Sequence, residues 1–100
     1  MELIYKSRWG TVCDDGWDDT DAGVVCRQLG FGSSGTAVYQ AGFGEGAGPI
    51  WLDNVLCTGT ESTVAGCGHF GIGITRNCSH SKDAGVRCSG TQGVHVNPLK

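Results

Sequence analysis

The sequence predicts a small, loop-rich α+β domain that is held together by disulfides. Its 100 residues are enough for one domain with a modest core. Its six cysteines are widely spaced, and none shows the CxxC spacing of zinc ribbons or thiol redox sites. Such cysteines predict three disulfides and an oxidising compartment, although counting alone leaves about fifteen possible pairings. Its 18 glycines are scattered among short apolar segments.

Two short strands and the main helix are predicted in the first third of the chain. Residues 2–5 (ELIY) and 11–13 (TVC) have the composition of strands. Residues 20–29 (TDAGVVCRQL) place apolar side chains at helical spacing. We expect Thr20 to cap this helix, Asp21 to favour its positive end and Gly30 to stop it.

The rest of the chain is predicted to be mostly irregular. A glycine-rich segment, 31–49, contains a possible strand at 37–40, and residues 49–57 (PIWLDNVLC) predict a clear strand. Thr60 and Glu61 can open a single helical turn, and 85–88 (GVRC) is the last strong strand signal. We expect the domain to span residues 1–89 and residues 90–100 to form a tail or linker.

Charge and motifs exclude several function classes. The net charge is -3, so nucleic acid is not expected as a physiological partner. No apolar run is long enough to insert into a membrane, and no signal peptide opens the chain, so a secretion signal would lie outside this sequence. No nucleophile motif, phosphate loop or HExxH motif is present, and we do not expect an enzyme.

Four sequence blocks resemble one known family. WGTVCDDGW, DAGVVCRQLGFG, FGEGAGPIWLDNVLCTGTES and NCSHSKDAGVRC closely resemble the scavenger receptor cysteine-rich domain, in the family's order. The resemblance implies a curved, mostly antiparallel sheet that cradles one main helix, with long loops. Phe31 stands where the eight-cysteine subgroup has a cysteine, so the six-cysteine group A is implied. That group's pairings would be Cys13–Cys78, Cys26–Cys88 and Cys57–Cys67.

The chain departs from the family pattern at two places. Family domains begin with a strand that would precede Met1, so the sequence is expected to be truncated at the front. The exposed sheet edge could then pair with the 90–100 tail, or with another copy by domain swapping. Relatives commonly carry tryptophan at the positions of Ala65 and Ile72, so the ligand-facing loop is expected to be atypical.

Five aspartates within eight residues form an acidic segment, at Asp14, Asp15, Asp18, Asp19 and Asp21. The resemblance implies that Asp14 and Asp15 bind Ca²⁺, or Mg²⁺, together with Glu61. Carboxylate oxygens are the ligands that Ca²⁺ prefers. The alternative is that the aspartates accept bonds from loop amides and that Glu61 only favours its own turn. Asp18 and Asp19 are assigned to solvent or turn chemistry. A second cation site beside Asp53 and Asn54 is not expected, because Leu56 cannot ligate.

The basic side chains are few, and two groups of them are candidates for anion binding. Family resemblance points to Lys6 and Arg8 near the first cysteine and to a cluster in the NCSHSKD segment: Arg76, His80 and Lys82. The alternative is that these residues serve solubility. Arg27 and Arg87 are expected to pack or pair. The three tryptophans are expected to be core or half-buried: Trp9, Trp17 and Trp51.

The resemblance implies an extracellular ligand-binding module of the scavenger or pattern-recognition type. It would bind polyanionic, microbial or protein ligands with the assistance of Ca²⁺, and repetition in a parent protein would strengthen weak single sites. The alternative is a structural or regulatory interaction module of a mosaic extracellular enzyme such as a protease.

Overall fold

The computed structural model describes residues 1–5, 7–32, 34–73, 75 and 78–88. This part of the chain contains one α-helix, α1 (Asp19–Gln28), and five strands: β1 (Glu2–Tyr5), β2 (Arg8–Val12), β3 (Gly35–Val38), β4 (Ile50–Leu52) and β5 (Gly85–Cys88). Two short 3-10 helices lie at Val64–Gly66 and His80–Lys82. No helix in these ranges is both long and apolar enough to cross a membrane.

The strands form two small sheets with α1 packed against one of them. In the first sheet, β2 lies between β1, which is antiparallel to it, and β4, which is parallel to it. In the second sheet, β3 and β5 are antiparallel, and α1 packs against both strands. The predicted α+β class, with one main helix and mostly antiparallel strands, is confirmed.

A reciprocal pair of aspartates begins α1. Asp18 is the N-cap, and its Oδ1 accepts the amide of Asp21 at 2.9 Å, while Asp21 Oδ2 accepts the amide of Asp18 at 2.9 Å. This capping box satisfies two amide groups that the first helical turn leaves unbonded. The predictions that Thr20 caps the helix and that Asp18 serves only solvent or turn chemistry were therefore wrong. Asp18 is a stronger cap than Thr20, because Asp21, three residues after Asp18, completes the reciprocal pair.

Gly30 ends the helix, as predicted. Its φ is 83°, a left-handed conformation that glycine adopts without a Cβ penalty. The amide of Gly30 donates to the carbonyl of Arg27, and the amide of Phe31 donates to that of Cys26. These two bonds form a Schellman motif, which satisfies carbonyls that the last turn leaves open.

The core is small and apolar, and disulfides extend from it. Its fully buried members include Leu3, Leu52 and six valines: Val12, Val24, Val25, Val55, Val64 and Val86. The disulfide Cys26–Cys88 joins α1 to β5, and Cys57–Cys67 closes a short loop. With Cys13–Cys78, these are the three pairings that the family resemblance implies.

Several predicted elements are shorter or lie elsewhere. The strand predicted at 49–57 ends at Leu52, because Asn54 has a φ of 53° and interrupts the extended backbone. The helical turn predicted at Thr60 is instead the 3-10 helix that starts at Val64. The predicted tail, 90–100, lies outside the described residues.

The tryptophans fall into three environments. Trp17 is a core residue, and its indole Nε1 donates to the carbonyl of Gly85 at 2.9 Å. Trp51 is half-buried, and Tyr5 contacts it edge to face, with ring centroids 5.3 Å apart. Trp9 differs from the expectation, because 43% of its surface is exposed.

The capping box gives a prediction with a matched control. Asp18→Ala should lower the free energy of unfolding by about 1 kcal/mol. Asp21→Ala should cost more, about 1–3 kcal/mol, because the buried amide of Cys57, which donates to Asp21 Oδ1 at 2.8 Å, would lose its acceptor. Thr20→Ala is the control and should stay within about 0.5 kcal/mol of the unchanged domain. Denaturant unfolding with the disulfides intact measures all three. A Thr20 effect as large as the Asp18 effect would contradict this assignment.

Candidate functional site

Two charged segments of the chain are held against each other at the surface. Cys13, which precedes the aspartate pair, is joined to Cys78 by a disulfide. Cys13 also forms an isolated β-bridge with Asp83, and the amide of Asp14 donates to the carbonyl of Lys82 at 2.8 Å. The acidic loop (residues 14–16) and the 78–83 segment are therefore fixed to each other by a disulfide and by backbone hydrogen bonds.

Both aspartates of the acidic loop have protein partners. Asp14 is 9% exposed, and its Oδ2 accepts the amide of Gln40 at 2.7 Å. Asp15 Oδ1 lies 2.6 Å from the ammonium Nζ of Lys82, and about a third of each side chain is exposed. The hydrogen bond to Asp15 is the main cause that raises the pKa of Lys82 above its ordinary value. The cation beside this aspartate pair is thus one that the chain itself supplies.

Glu61 is engaged within its own turn. Its carboxylate accepts the amides of Thr58 at 2.9 Å and Gly59 at 3.0 Å. These bonds, the Thr58 amide first, lower the pKa of Glu61 to about 2. The guanidinium of Arg27 donates to the backbone carbonyls of Gly59 and Glu61, which confirms that Arg27 is a pairing residue.

The three predicted cation ligands fall into two separate clusters. Among the described residues, Asp14 and Asp15 group with Cys13, with their ligand atoms within 4.8 Å of one another, and Glu61 groups with Cys57 and Cys67. The cysteine sulfurs are in disulfides, so they are not thiolate ligands. Ca²⁺ prefers six to eight oxygens. The carboxylates of Asp14 and Asp15 supply only some of these oxygens, and that of Asp15 is already paired with the ammonium of Lys82.

Three of the five predicted anion-binding residues lie in the described part of the chain, and two of these three are paired with aspartates. Arg8 is exposed and takes part in no ion pair among the described residues. Lys82 is paired with Asp15, and His80 with Asp83. Lys6 and Arg76 lie outside the described residues.

Asp83 and Asp21 are buried and accept amides from the surrounding loops. Neither was predicted to be a site residue. Asp83 is 2% exposed, and its Oδ2 accepts the amide of Gly46 at 2.7 Å. Asp21 is fully buried, and burial raises its pKa to about 6 although two backbone amides donate to it. The signal available in the sequence was an acid directly before a small apolar run, DAGV, which occurs at both positions.

The Glu61 contacts predict a specific dependence of stability on pH. Because the pKa of the folded state is lowered from 4.5 to about 2, the stabilisation is present above pH 4.5 and is lost as the pH falls through 2. Glu61→Gln should therefore flatten the acid limb of the unfolding curve in this range. Denaturant unfolding at a series of pH values measures the slope, and equal slopes in the variant and the unchanged domain would contradict the assignment.

Comparisons with known proteins agree on one family. The sequence profile of the scavenger receptor cysteine-rich domain matches residues 1–89. Galectin-3-binding protein of Mus musculus is 53% identical over 100 residues, which cover 99% of this chain and 17% of that protein. Lysyl oxidase homolog 4 of Homo sapiens is 51% identical over 88 residues, which cover 88% of this chain and 12% of that protein. The chain thus spans less than a fifth of these relatives' length.

Solved structures of single domains have the same fold. The dimeric form of the SRCR domain of mouse MARCO superposes with a TM-score of 0.80 at 49% identity, covering 89% of this chain and 83% of that one. The third SRCR domain of murine neurotrypsin also gives a TM-score of 0.80, at 50% identity, with 91% and 84% covered. With its four sequence blocks, its three disulfides and its fold in agreement, the chain belongs to the scavenger receptor cysteine-rich domain family.

Proposed function

We propose that this domain is an extracellular ligand-binding module whose ligands contact the surface formed by the acidic loop and the 78–83 segment. The observation that carries the proposal is the half-buried Asp15–Lys82 ion pair, held on two loops that the Cys13–Cys78 disulfide joins. A surface fixed in this way loses little conformational freedom when a ligand binds. Three disulfides also favour an oxidising, extracellular location.

Anionic groups are the ligand chemistry that the described cations favour. Arg8 is exposed, and Lys82 is exposed enough to exchange its partner Asp15 for a carboxylate, sulfate or phosphate of a ligand. Arginine binds such groups in bidentate geometry. The net charge of -3 opposes a general attraction to polyanions, so recognition depends on these particular cations and is weak for one domain.

Calcium assistance, in our proposal, is a competition with Lys82. In this proposal a cation that binds Asp14 and Asp15 displaces the ammonium from Asp15 Oδ1, because two cations held beside the same carboxylate repel each other. Extracellular modules commonly bind Ca²⁺ with dissociation constants of about 10⁻⁴–10⁻³ M. At such concentrations the displaced Lys82 would become available to an anionic ligand, which would link cation binding to ligand binding.

A second candidate function is a structural or regulatory interaction module in a larger extracellular enzyme. The similarity to a segment of lysyl oxidase homolog 4 and to a domain of neurotrypsin favours it. In that case the partner would be a protein surface, and binding would depend on exposed apolar groups such as Leu56 and Phe70, which are 69% and 42% exposed.

The competition predicts the direction in which a lysine variant changes calcium affinity. Lys82→Met removes the ammonium and keeps a long side chain, so it should bind Ca²⁺ several-fold more tightly than the unchanged domain. Calorimetric titration of the oxidised domain measures the affinity. Arg8→Gln is the matched control, because it makes the same change in net charge away from the Asp15 ion pair, and it should have little effect.

Two further variants define the ligands in the same titration. Asp15→Asn should abolish Ca²⁺ binding, whereas Glu61→Gln should retain it, because that carboxylate lies in a separate cluster. Equal affinities in the unchanged domain and Lys82→Met would contradict the competition.

Anion binding can be separated from protein-surface binding by its dependence on salt. An immobilised sulfated polysaccharide should retain the domain at low ionic strength and release it as salt screens the exposed charges. Arg8→Gln should weaken retention several-fold, whereas Arg87→Gln should not, because that arginine lies 5.5 Å over the ring of Phe43. Equal losses in the two variants would indicate non-specific attraction, and no retention at low salt would favour the second candidate function.

A further inference from the structure

His80 lies between two hydrogen-bond acceptors. Its Nδ1 is 3.1 Å from each carboxylate oxygen of Asp83, and its Nε2 is 2.9 Å from the carbonyl oxygen of Gly48. The hydroxyl of Thr11 lies 3.4 Å from Nδ1. A quarter of the His80 side chain is exposed, whereas Asp83 is buried.

The protonated ring fits both of the shorter contacts, to Asp83 and to Gly48. A neutral imidazole carries one N–H, so its other nitrogen would present a lone pair either to the carboxylate of Asp83 or to the carbonyl of Gly48. The imidazolium donates to both. His69 provides a contrast within the same domain, since its Nδ1 accepts the amide of Gly71 at 2.9 Å and its Nε2 faces the carbonyl of Ala65 at 3.3 Å. One donor and one acceptor match a neutral ring.

The two partners of His80 fasten a segment without regular secondary structure, residues 44–49. Gly46 donates its amide to Asp83, and Gly48 offers its carbonyl to His80. Pro49 accepts the amide of Thr11 at 3.0 Å, which joins the end of the segment to β2. A Cβ at Gly46 would lie 2.5 Å from Thr11 Cγ2, so the backbone approaches β2 more closely than another residue would allow.

We propose that His80 is a pH-operated clasp, which fastens the 44–49 segment to the 80–83 turn when its ring is protonated and loosens it when the proton leaves. The inference goes beyond the proposed function, because it concerns the order of this surface and not the ligand. The 80–83 turn also carries Lys82. The surface that includes this lysine and the 44–49 segment would therefore be more ordered in an acidified compartment than at neutral pH.

The charges around His80 determine the sign of the effect. Partial burial lowers the pKa of His80, but the bonds to Gly48 and Asp83 outweigh it, so the pKa lies above the ordinary value of 6.5. Glu45, on the fastened segment, acts in the same direction. The Met1 ammonium interacts with Asp83 from the β1 side, and Lys82 faces Asp15. The stabilisation is present below about pH 6.5 and is lost as the pH rises through the His80 pKa.

The test observes the ring and the segment directly. Nitrogen NMR of the oxidised domain should show both ring N–H groups of His80 at about pH 5.5, and one of them should be lost by about pH 8. Over the same range, the protection of the Gly46 amide from hydrogen exchange, corrected for the intrinsic effect of pH, should fall several-fold. His80→Gln should remove this change in protection, and His69→Gln should retain it.

Each outcome decides for or against the clasp. A His80 ring that is neutral at about pH 5.5 would overturn it, as would Gly46 protection that does not follow the His80 titration. The Asp21 carboxyl, with a pKa of about 6, titrates in an adjoining pH range. A change in protection that persists in His80→Gln would therefore show that a group other than His80 causes it, and would refute the proposal. If His80→Gln does not fold, the titration of the unchanged domain still decides.

Discussion

The disulfide between Cys13 and Cys78 is the constraint on which the charged surface depends. It links positions 65 residues apart, and closing such a long loop removes about 4 kcal/mol of conformational entropy from the unfolded chain. In the folded domain it places the acidic loop beside the 78–83 segment, where the backbone bond from Asp14 to Lys82 aligns them. The Asp15–Lys82 pair and the contact of His80 with Asp83 both lie in the surface that these two segments form. A core as small as this one could not hold these loops together by apolar contact alone.

Buried carboxylates, like the disulfide, hold loops in place. They accept amides from segments that have no regular secondary structure. Asp21 accepts the amide of Cys57, Asp14 accepts that of Gln40, and Asp83 accepts that of Gly46. In each case the acid lies on or beside a regular element or a disulfide, and the amide lies in a loop. Because a buried amide without a partner is costly, these contacts give the irregular loops defined positions. Most of the acidic segment is therefore explained by folding before any ligand is considered.

Sequence reasoning succeeded where the signal was local or belonged to a family. The strand at 85–88, the helix and its stop at Gly30 follow from short-range chemistry, and the disulfide pairing followed from the resemblance. The alternative that Glu61 only favours its own turn agrees with its bonds to the amides of Thr58 and Gly59, which are local as well. Sequence reasoning failed where partners are distant in sequence. Nothing near Asp15 in the chain indicates Lys82, because that contact depends on how the loops fold back. Likewise, the double acceptor environment of His80 requires Gly48, which lies 32 residues away.

We propose that Lys82 and a bound cation exclude each other at the carboxylate of Asp15. NMR signals of the Lys82 ammonium nitrogen and the Asp15 carboxyl carbon, recorded while Ca²⁺ is added, test it most directly. The account predicts that both signals change in the same proportion, as the ammonium leaves the carboxylate and the metal replaces it. A response of Asp15 to Ca²⁺ while the Lys82 signal stays unchanged would contradict it.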